Sequence, residues 1–277
     1  MHAHFPPTLL TNRRIIQASG ADVAGLLQDL LSCNMESLDE RPIIWGFLLT
    51  PQGRFLHEIF VLKHDGRLLL DVQADQVESF LKRLKLYTLK RDAVFELLEH
   101  WAVAGAVNTL ENNAHLTVSD PRLESMGRRL YGEREALAAL PDITTDMTGY
   151  NEHRAALGIP AAEDFIPEKT LLLDYDVDQL GGVDFEKGCY IGQEVTARMH
   201  YRAINKKGIY LITAADNQPL PPQDTAITAG DKEAGRLLTV AGHHAIAMLR
   251  HELADGTLLA DRHAVQAARP DWIQPQP

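Results

Sequence analysis

The segment around Cys189 combines the residue types that thiolate chemistry needs. Cys189 lies two residues after Lys187, and Gly188 and Gly192 flank it on either side. Glycine admits backbone conformations that other residues avoid, and the following residues 193–198 are typical of a helix start. A thiol that precedes a helix N-terminus and lies near a lysine is stabilised as the thiolate, the form that attacks electrophiles and binds metals. Cys189 is therefore the first candidate for a reactive group.

The same cysteine also admits a purely structural interpretation. Lone cysteines are among the most buried residue types and usually fill space in a core. The chain has two cysteines, a count that excludes a disulfide framework and a four-cysteine metal site. The second one, Cys33, lies on a leucine-rich helical segment and is expected in the core. Two free thiols fit a reducing compartment.

The elements that must position this segment follow from the spacing of apolar residues. Ser19 predicts the cap of a helix, and Asp75 with Glu78 predicts a capping box at the start of another. The apolar face of the first helix consists of Val23, Leu26, Leu27, Leu30 and Leu31. Strand-like runs lie between the two helices, over residues 43–49, 55–62 and 68–72. The turn at residues 50–53 and the Asp65-Gly66 pair join these runs and predict an antiparallel meander.

The pattern changes near residue 205. Short strand-like runs then recur, separated by prolines and glycines, which is typical of a small barrel or sandwich. We therefore predict an α+β protein with a body over residues 1–203 and a C-terminal β-barrel domain over residues 204–277. Residues 111–150 are rich in turn formers and give no clear pattern.

Composition narrows the classes of function. The 277 residues carry a net charge of −11, which argues against direct nucleic-acid binding, since nucleic acids are bound mainly through Lys and Arg. A module that binds RNA or RNA-modifying enzymes stays open as a disfavoured alternative. An apolar run near 18 residues is absent from the sequence, so we expect no membrane span. The N-terminus shows no targeting pattern, and we predict a cytoplasmic protein.

Residues 187–194, KGCYIGQE, resemble the K-G-C-Y-x-G-Q-E signature of YgfZ-type proteins and their mitochondrial counterparts. These are folate-binding relatives of the glycine-cleavage T-protein that act in iron–sulfur cluster assembly and repair. Other segments resemble the same family in the same order, namely residues 26–32, 50–54, 154–160 and 270–272. The resemblance thus extends over most of the chain.

The resemblance implies a T-protein-like fold, in which a folate-binding, partly ferredoxin-like body surrounds a central cavity and a β-barrel follows. It implies tetrahydrofolate as a cofactor, with lysine and arginine side chains at its anionic tail and Tyr190 at its ring. The expected cofactor-binding residues are Lys187, Gly188, Tyr190, Gly192, Gln193, Glu194, Arg198 and Arg202. The expected partners are an A-type iron–sulfur carrier and client iron–sulfur enzymes.

Departures from the T-protein pattern disfavour a self-contained enzyme. Ala156 stands where the T-protein has a glutamate that pairs with the pterin, and the N-A-x-N stretch of its catalytic acid is not recognisable after residues 68–72. A tetrahydrofolate-dependent one-carbon transferase is therefore the alternative and not the first choice. A cluster normally needs four protein ligands, so we expect Cys189 to share a transient cluster with a partner protein. His200 is a candidate auxiliary ligand.

Overall fold

A computed structural model describes residues 5–108, 115–202, 205–215 and 218–274 of the chain. The body strands are β1 Thr8–Leu9, β2 Arg13–Ser19, β3 Ile43–Leu49, β4 Phe55–His64, β5 Arg67–Gln73, β6 Val94–Leu97, β7 Trp101–Ala106, β8 His115–Ser119 and β9 Arg128–Glu133. The later strands are β10 Lys207–Ala214, β11 Ala226–Ala229, β12 Lys232–Ala241, β13 His244–Arg250, β14 Leu258–Ala260 and β15 His263–Ala268. The helices are α1 Val23–Leu30, α2 Val77–Lys85, α3 Arg134–Ala138, α4 Thr148–Ala156 and α5 Gln193–Tyr201.

A five-stranded antiparallel sheet of order β3-β4-β5-β2-β6 forms the centre of the body. Successive side chains of a strand point to opposite faces, so Trp45 and Phe47 enter one core while Ile44 and Leu48 enter another. The second core also receives the apolar faces of α1 and α2. The predicted meander over residues 43–72 is therefore confirmed as β3, β4 and β5.

The predicted starts of the first two helices are wrong. Ser19 is the last residue of β2, and Asp22 precedes α1 without a side-chain cap. A 3-10 turn, Ala74–Gln76, precedes α2, so Asp75 lies within that turn and α2 also begins without a side-chain cap. The first helix starts later than predicted because β2 continues to Ser19, and the second because a 3-10 turn precedes it. The apolar faces of the helices are nevertheless placed as the sequence predicts.

A second antiparallel sheet of order β1-β7-β9-β8 lies in the part of the chain that gave no clear pattern. Strand β9 carries buried Arg129 and Tyr131 next to buried Leu130. A strand that buries a guanidinium lacks the alternation of apolar and polar residues from which strands are usually predicted. The charged residues of this sheet belong to the body's interior.

The last six strands close into a barrel of order β10-β13-β12-β11-β14-β15. The predicted barrel is therefore confirmed, while the division at residues 203 and 204 stays a prediction. Asp176 of the body ties the barrel down, because its carboxylate accepts the backbone N–H of Ile209 at 2.7 Å and both terminal nitrogens of Arg269 at 3.0 and 3.1 Å. Within the described ranges, no helix has the length and apolar character needed to cross a bilayer.

Candidate functional site

Lys187 anchors the cysteine segment from behind. Its Nζ donates to three backbone carbonyl oxygens at the end of α1 and just beyond it, those of Gln28 and Leu31 at 2.6 Å and that of Cys33 at 2.8 Å. The last carbonyls of a helix lack intrahelical donors and attract cations. An ammonium group has three N–H donors, and all three are used here. Lys187 therefore fastens the loop to α1 and does not face a ligand.

The loop in front of this anchor is open. Cys189 is exposed, and a Cβ added to Gly188 would meet no atom within 4 Å. Gly192 ends the loop in a left-handed conformation, with φ at 85°. A Cβ at Gly192 would lie 2.6 Å from the carbonyl oxygen of Thr50 and 3.0 Å from the Cα of Gly53. The loop therefore packs closely on the β3–β4 turn, and only glycine fits at its end.

Tyr190 contributes to the packing of the loop. Its ring is buried, its centroid lies 5.1 Å from the Nζ of Lys187, and burial raises the pKa of its hydroxyl. The backbone N–H of Ile191 donates to the carbonyl of Asp29 at 3.2 Å, and that of Gln193 donates back to Tyr190 at 3.2 Å. These bonds lead the chain into α5. Tyr190 thus supports the loop and does not offer an open ring face for stacking, as the folate interpretation expected.

The charged residues of α5 lie on its exposed face. Arg198 donates to the carboxylate of Glu194 one turn earlier at 2.7 Å, with both side chains more than half exposed. Arg202 is exposed and follows the last residue of α5. Lys187 points into the body, so the structure does not gather Lys187 and Arg198 around one anionic tail. That part of the expected folate site needs correction, because the lysine's donors are already used.

A groove of about 470 Å³ lies next to the loop, which we call the cysteine-side groove. Asp184, Phe185 and Glu186 form one wall, and the end of α5 contributes His200 and Tyr201. The ring of Phe185 stacks on that of His200 with centroids 3.8 Å apart, and the ring of Tyr201 meets His200 edge-on at 5.2 Å. Cys189 does not line this groove. Its neighbour Lys187 is linked to the groove, because its Nζ donates to the carbonyl of Cys33, which lines the groove.

The centre of the body holds a buried network of ionised side chains, which we call the central cleft. Arg13 donates to Asp71 and to Glu58, each at 2.6 Å, and Arg129 donates to the other oxygen of Asp71 at 2.5 Å. Trp45 donates its indole N–H to Glu58 at 3.0 Å. Burial opposes ionisation of Asp71, but the two arginines outweigh it and hold the pKa of this carboxyl below its usual range.

Two further ion pairs complete the network. Arg122 and Asp120 form a bidentate pair at 2.7 and 2.9 Å, a geometry that strengthens arginine–carboxylate contacts. Arg154 donates to Asp164 at 3.2 Å and to the hydroxyl of Thr239 in β12 at 2.8 Å, which links the network to the barrel. Four buried guanidinium groups thus face four buried carboxylates. A fifth carboxylate, that of partly exposed Glu163, lies 2.5 Å from Arg154, so the cleft has no cationic surplus for an anionic ligand.

The central cleft has little space left. Its cavity volume is about 20 Å³, whereas pockets for organic ligands occupy about 300–1,000 Å³ and a single water needs about 10–15 Å³. Two lining atoms, Nε of Arg154 and Oδ1 of Asn12, have no hydrogen-bond partner among the described residues. A tetrahydrofolate molecule does not fit the cleft in this conformation.

The sequence analysis did not single out the residues of this network, because their partners lie far away along the chain. One signal was available in the sequence. Asp71 interrupts the apolar run of β5, where a carboxylate needs a buried cation. The prediction that Cys33 lies in the core is confirmed, since its side chain is 3% exposed. His200 is exposed at the groove, and its role as a ligand stays a prediction.

Comparisons with known proteins agree with this architecture. Residues 206–275 match the family model of the CAF17 C-terminal beta-barrel domain. The crystal structure of the glycine cleavage system aminomethyltransferase T from Bartonella henselae superposes with a TM-score of 0.77 at 11% identity, covering 98% of this chain and 88% of that one. The chain therefore has the T-protein-like α+β fold with a C-terminal barrel, as the sequence predicts. The low identity supports the fold alone.

Curated relatives carry a name that bears on function. The mitochondrial iron-sulfur cluster assembly factor IBA57 homolog of Coccidioides immitis is 30% identical over 84% of this chain and 63% of its own length. Human mitochondrial IBA57 is 28% identical over 95% of this chain and 84% of its own length. This chain is homologous to iron–sulfur cluster assembly factors. It spans less than two thirds of the length of the Coccidioides relative.

One expectation is overturned by these relatives. The chain was expected to be cytoplasmic, because its N-terminus shows no targeting pattern. The names of the relatives place them in mitochondria, so the prediction of a cytoplasmic protein is wrong.

Proposed function

We propose that this protein is an iron–sulfur cluster assembly factor that lends the thiolate of Cys189 to a cluster held mainly by a partner protein. The main support is the position of this thiol. It is exposed on an open loop, while the residues around it are fixed by the three bonds of Lys187 and by the tight packing of Gly192. The names of the relatives support the same class of function.

The ligand count explains why a partner is needed. Iron–sulfur clusters are normally held by four protein ligands, mostly thiolates. Cys33 does not serve, because burial raises the pKa of its thiol to about 12 and only 3% of the side chain is exposed. The described residues contain no group of three or more His, Cys, Asp or Glu that could hold a metal ion. Cys189 therefore acts as one ligand, and a carrier protein such as the A-type carrier supplies the others.

The chemistry that the chain itself performs is positioning. Binding requires loss of the Cys189 proton, because the thiolate is the metal ligand. The loop precedes α5, whose N-terminal backbone N–H groups carry partial positive charge and favour a nearby anion. Client enzymes would receive the cluster from the joint complex, since the chain alone lacks the ligands to retain it.

Tetrahydrofolate stays a predicted cofactor, and the proposed role does not depend on it. The central cleft is too small and its charges are already matched. The cysteine-side groove has the volume of an organic-ligand site, with the exposed carboxylate of Glu186 available for a donor edge. The alternative of one-carbon transfer is disfavoured, because Ala156 offers no acid and the cleft has no space for a substrate. Turnover of an aminomethyl donor with tetrahydrofolate would reverse this preference.

The cluster role is tested by anaerobic reconstitution. The protein is mixed with an apo A-type carrier, ferrous iron and sulfide, and the visible circular dichroism of the isolated complex is followed. We expect a cluster in the wild-type complex and none in the Cys189→Ser complex, while Cys33→Ser, the matched buried control, retains it. A Cys189→Ser complex that holds the cluster as well as wild type would refute the proposal.

A further inference from the structure

We propose that the aromatic side chains Phe185, His200 and Tyr201 form the surface on which the cluster-carrying partner protein docks. We call this surface the aromatic ledge. The inference rests on the proposed function, because it concerns the partner of the same thiol. The inference assigns two tasks to two places. Cys189 ligates the cluster, and the ledge binds the protein that carries the cluster.

The ledge joins one highly exposed ring, that of Tyr201, to the half-buried ring of Phe185, which packs against the core of the body. Tyr201 is 72% exposed at the end of α5, although tyrosine usually buries most of its ring. Single exposed apolar residues are normal, but clusters of them mark interaction sites. Here three rings meet, because Tyr201 lies 6.4 Å from Phe185 as well as 5.2 Å from His200. Tyrosine is among the residues that contribute most to protein–protein binding.

The ledge is also rigid before any partner arrives. The Phe185 and His200 rings stack at an angle of 18°, and the Nδ1 of His200 lies 3.8 Å from the Oδ2 of Asp178. The turn that carries Phe185 is fixed by Asp184, whose carboxylate accepts the backbone N–H groups of Glu186 and Lys187, both at 2.8 Å. A surface that is already ordered loses little side-chain entropy on binding.

Distance connects the ledge to the thiol. Phe185 and Cys189 are four positions apart in the chain, and an extended chain of that length spans at most about 14 Å. A protein–protein interface of ordinary size buries about 800 Å² on each partner, which corresponds to a disc of about 16 Å radius. A partner centred on Cys189 therefore covers Phe185, the ring on which His200 stacks. A partner with a footprint of ordinary size touches both the thiol and the ledge.

Charge defines what the partner presents. The groove lining carries Asp184 and Glu186 against Arg41, and the 3-10 turn Met35–Asp39 along its edge adds exposed Glu36. Carboxylates therefore predominate on the Phe185 side of the rim, whereas exposed Arg202 follows Tyr201 on the other side. The occupant that fits is a cluster carrier that places an apolar side chain on the ledge and a cationic side chain at the rim. Complementary charges of this kind accelerate association.

The test measures docking and ligation separately. Anaerobic titration of a reconstituted holo A-type carrier into each variant gives its dissociation constant, and the visible circular dichroism of the complex reports the shared cluster. We expect Tyr201→Ala to raise the dissociation constant by about tenfold or more. Tyr201→Phe, which keeps the ring, should bind within about twofold of wild type. Leu259→Ala, at an exposed apolar residue in β14 of the barrel, serves as the matched control.

The outcomes distinguish this inference from the cluster role. If Tyr201→Ala binds the holo carrier within twofold of wild type, the ledge is not the docking surface, whatever Cys189→Ser does. If Cys189→Ser keeps the shared-cluster spectrum while Tyr201→Ala weakens binding, the docking inference stands and the ligand role fails. A parallel titration with tetrahydrofolate covers the other occupant. Weaker tetrahydrofolate binding by Tyr201→Ala with unchanged carrier binding would assign the ledge to the small molecule and overturn the inference.

Discussion

The central cleft and the loop of Cys189 both contain ionisable side chains. Those of the cleft are buried and paired, whereas the thiol of Cys189 is exposed. In the cleft, each guanidinium meets a carboxylate and the remaining space is about 20 Å³. At the loop, Lys187 and Gly192 contact the backbone behind Cys189, and the thiol itself is exposed. Charged groups that pair with one another stabilise the fold. A thiol whose neighbouring residues hold the backbone in place, without contacting the sulfur, stays available to a partner.

This difference fits the assembly role that we propose for this T-protein-like fold. The architecture resembles that of an aminomethyltransferase over almost the whole chain, but the centre of the body is closed by Arg13, Arg122 and Arg129. Arg122, which lines the cleft, lies 6.0 Å from the centroid of the Trp45 ring, which lines the cysteine-side groove. In the proposed role, the working surface is therefore the exposed loop of Cys189 and not the centre of the body.

The largest expected effect concerns the cleft. Replacing Arg129 with Met should destabilise the protein by about 3–5 kcal/mol, because Asp71 loses a partner at 2.5 Å in a fully buried position. The free energy of unfolding in urea measures this change. Arg129 also lies over the ring of Phe60 at 3.9 Å, so Met keeps part of the packing. A loss below 1 kcal/mol would show that water reaches the cleft and that its charges are not closed off.

The anchor of the loop should give the next largest effect. Lys187→Met leaves the carbonyls of Gln28, Leu31 and Cys33 without their donor, at a cost of about 2–3 kcal/mol. Amide hydrogen exchange over residues 186–192 should accelerate, and cluster retention in the joint complex should fall. Exposed Lys169 provides the control, Lys169→Met. Unchanged exchange in Lys187→Met would mean that the loop is held by Gly192 and Tyr190 alone.

Acid should weaken the body through His57. Burial lowers its pKa to about 4, and a hydrogen bond with Gln76 only partly opposes this. The unfolded chain, with a pKa near 6.5, binds the proton that the folded state refuses, so stability falls as the pH drops from about 6.5 towards 4. Between pH 7 and pH 5 the loss is about 2 kcal/mol. Unfolding free energies at both pH values measure it.

The control for this pH effect is His57→Gln, which should remove most of that pH dependence. His251 has a lowered pKa, mainly from burial, and adds a smaller change of the same sign. An equal slope in His57→Gln and wild type would contradict the assignment to His57. Asp71 and Asp120, whose pKa values lie below the usual range, contribute only at lower pH, because their stabilisation is lost as pH falls below about 4.

The sequence predicted the parts of the molecule that obey local rules. Apolar spacing located α1, and the Asp65-Gly66 pair located a hairpin in which both residues have positive φ, 48° and 72°. The signature located the loop of Cys189. Residues that depend on distant partners were not predicted. Arg13 pairs with Asp71, which lies 58 positions later in the chain, and the role of either charge cannot be predicted without knowing its partner. Lys187 was misread for the same reason, since its acceptors lie more than 150 residues earlier.

The smallest expected effect concerns Arg198, where the surface and the cleft can be compared by the same substitution. Arg198→Met removes an exposed pair with Glu194, and such pairs contribute about 0.2–1 kcal/mol. The unfolding free energy should therefore change by less than about 1 kcal/mol, several times less than for Arg129→Met. The affinity for tetrahydrofolate should also stay within about twofold of wild type, because the guanidinium is paired on an exposed helix face and not aimed into the groove. A clear loss of tetrahydrofolate binding in Arg198→Met would instead restore the predicted contact with an anionic tail. The outer surface would then hold a small-molecule site beside the thiol, whereas the charged side chains of the central cleft would still bind only one another.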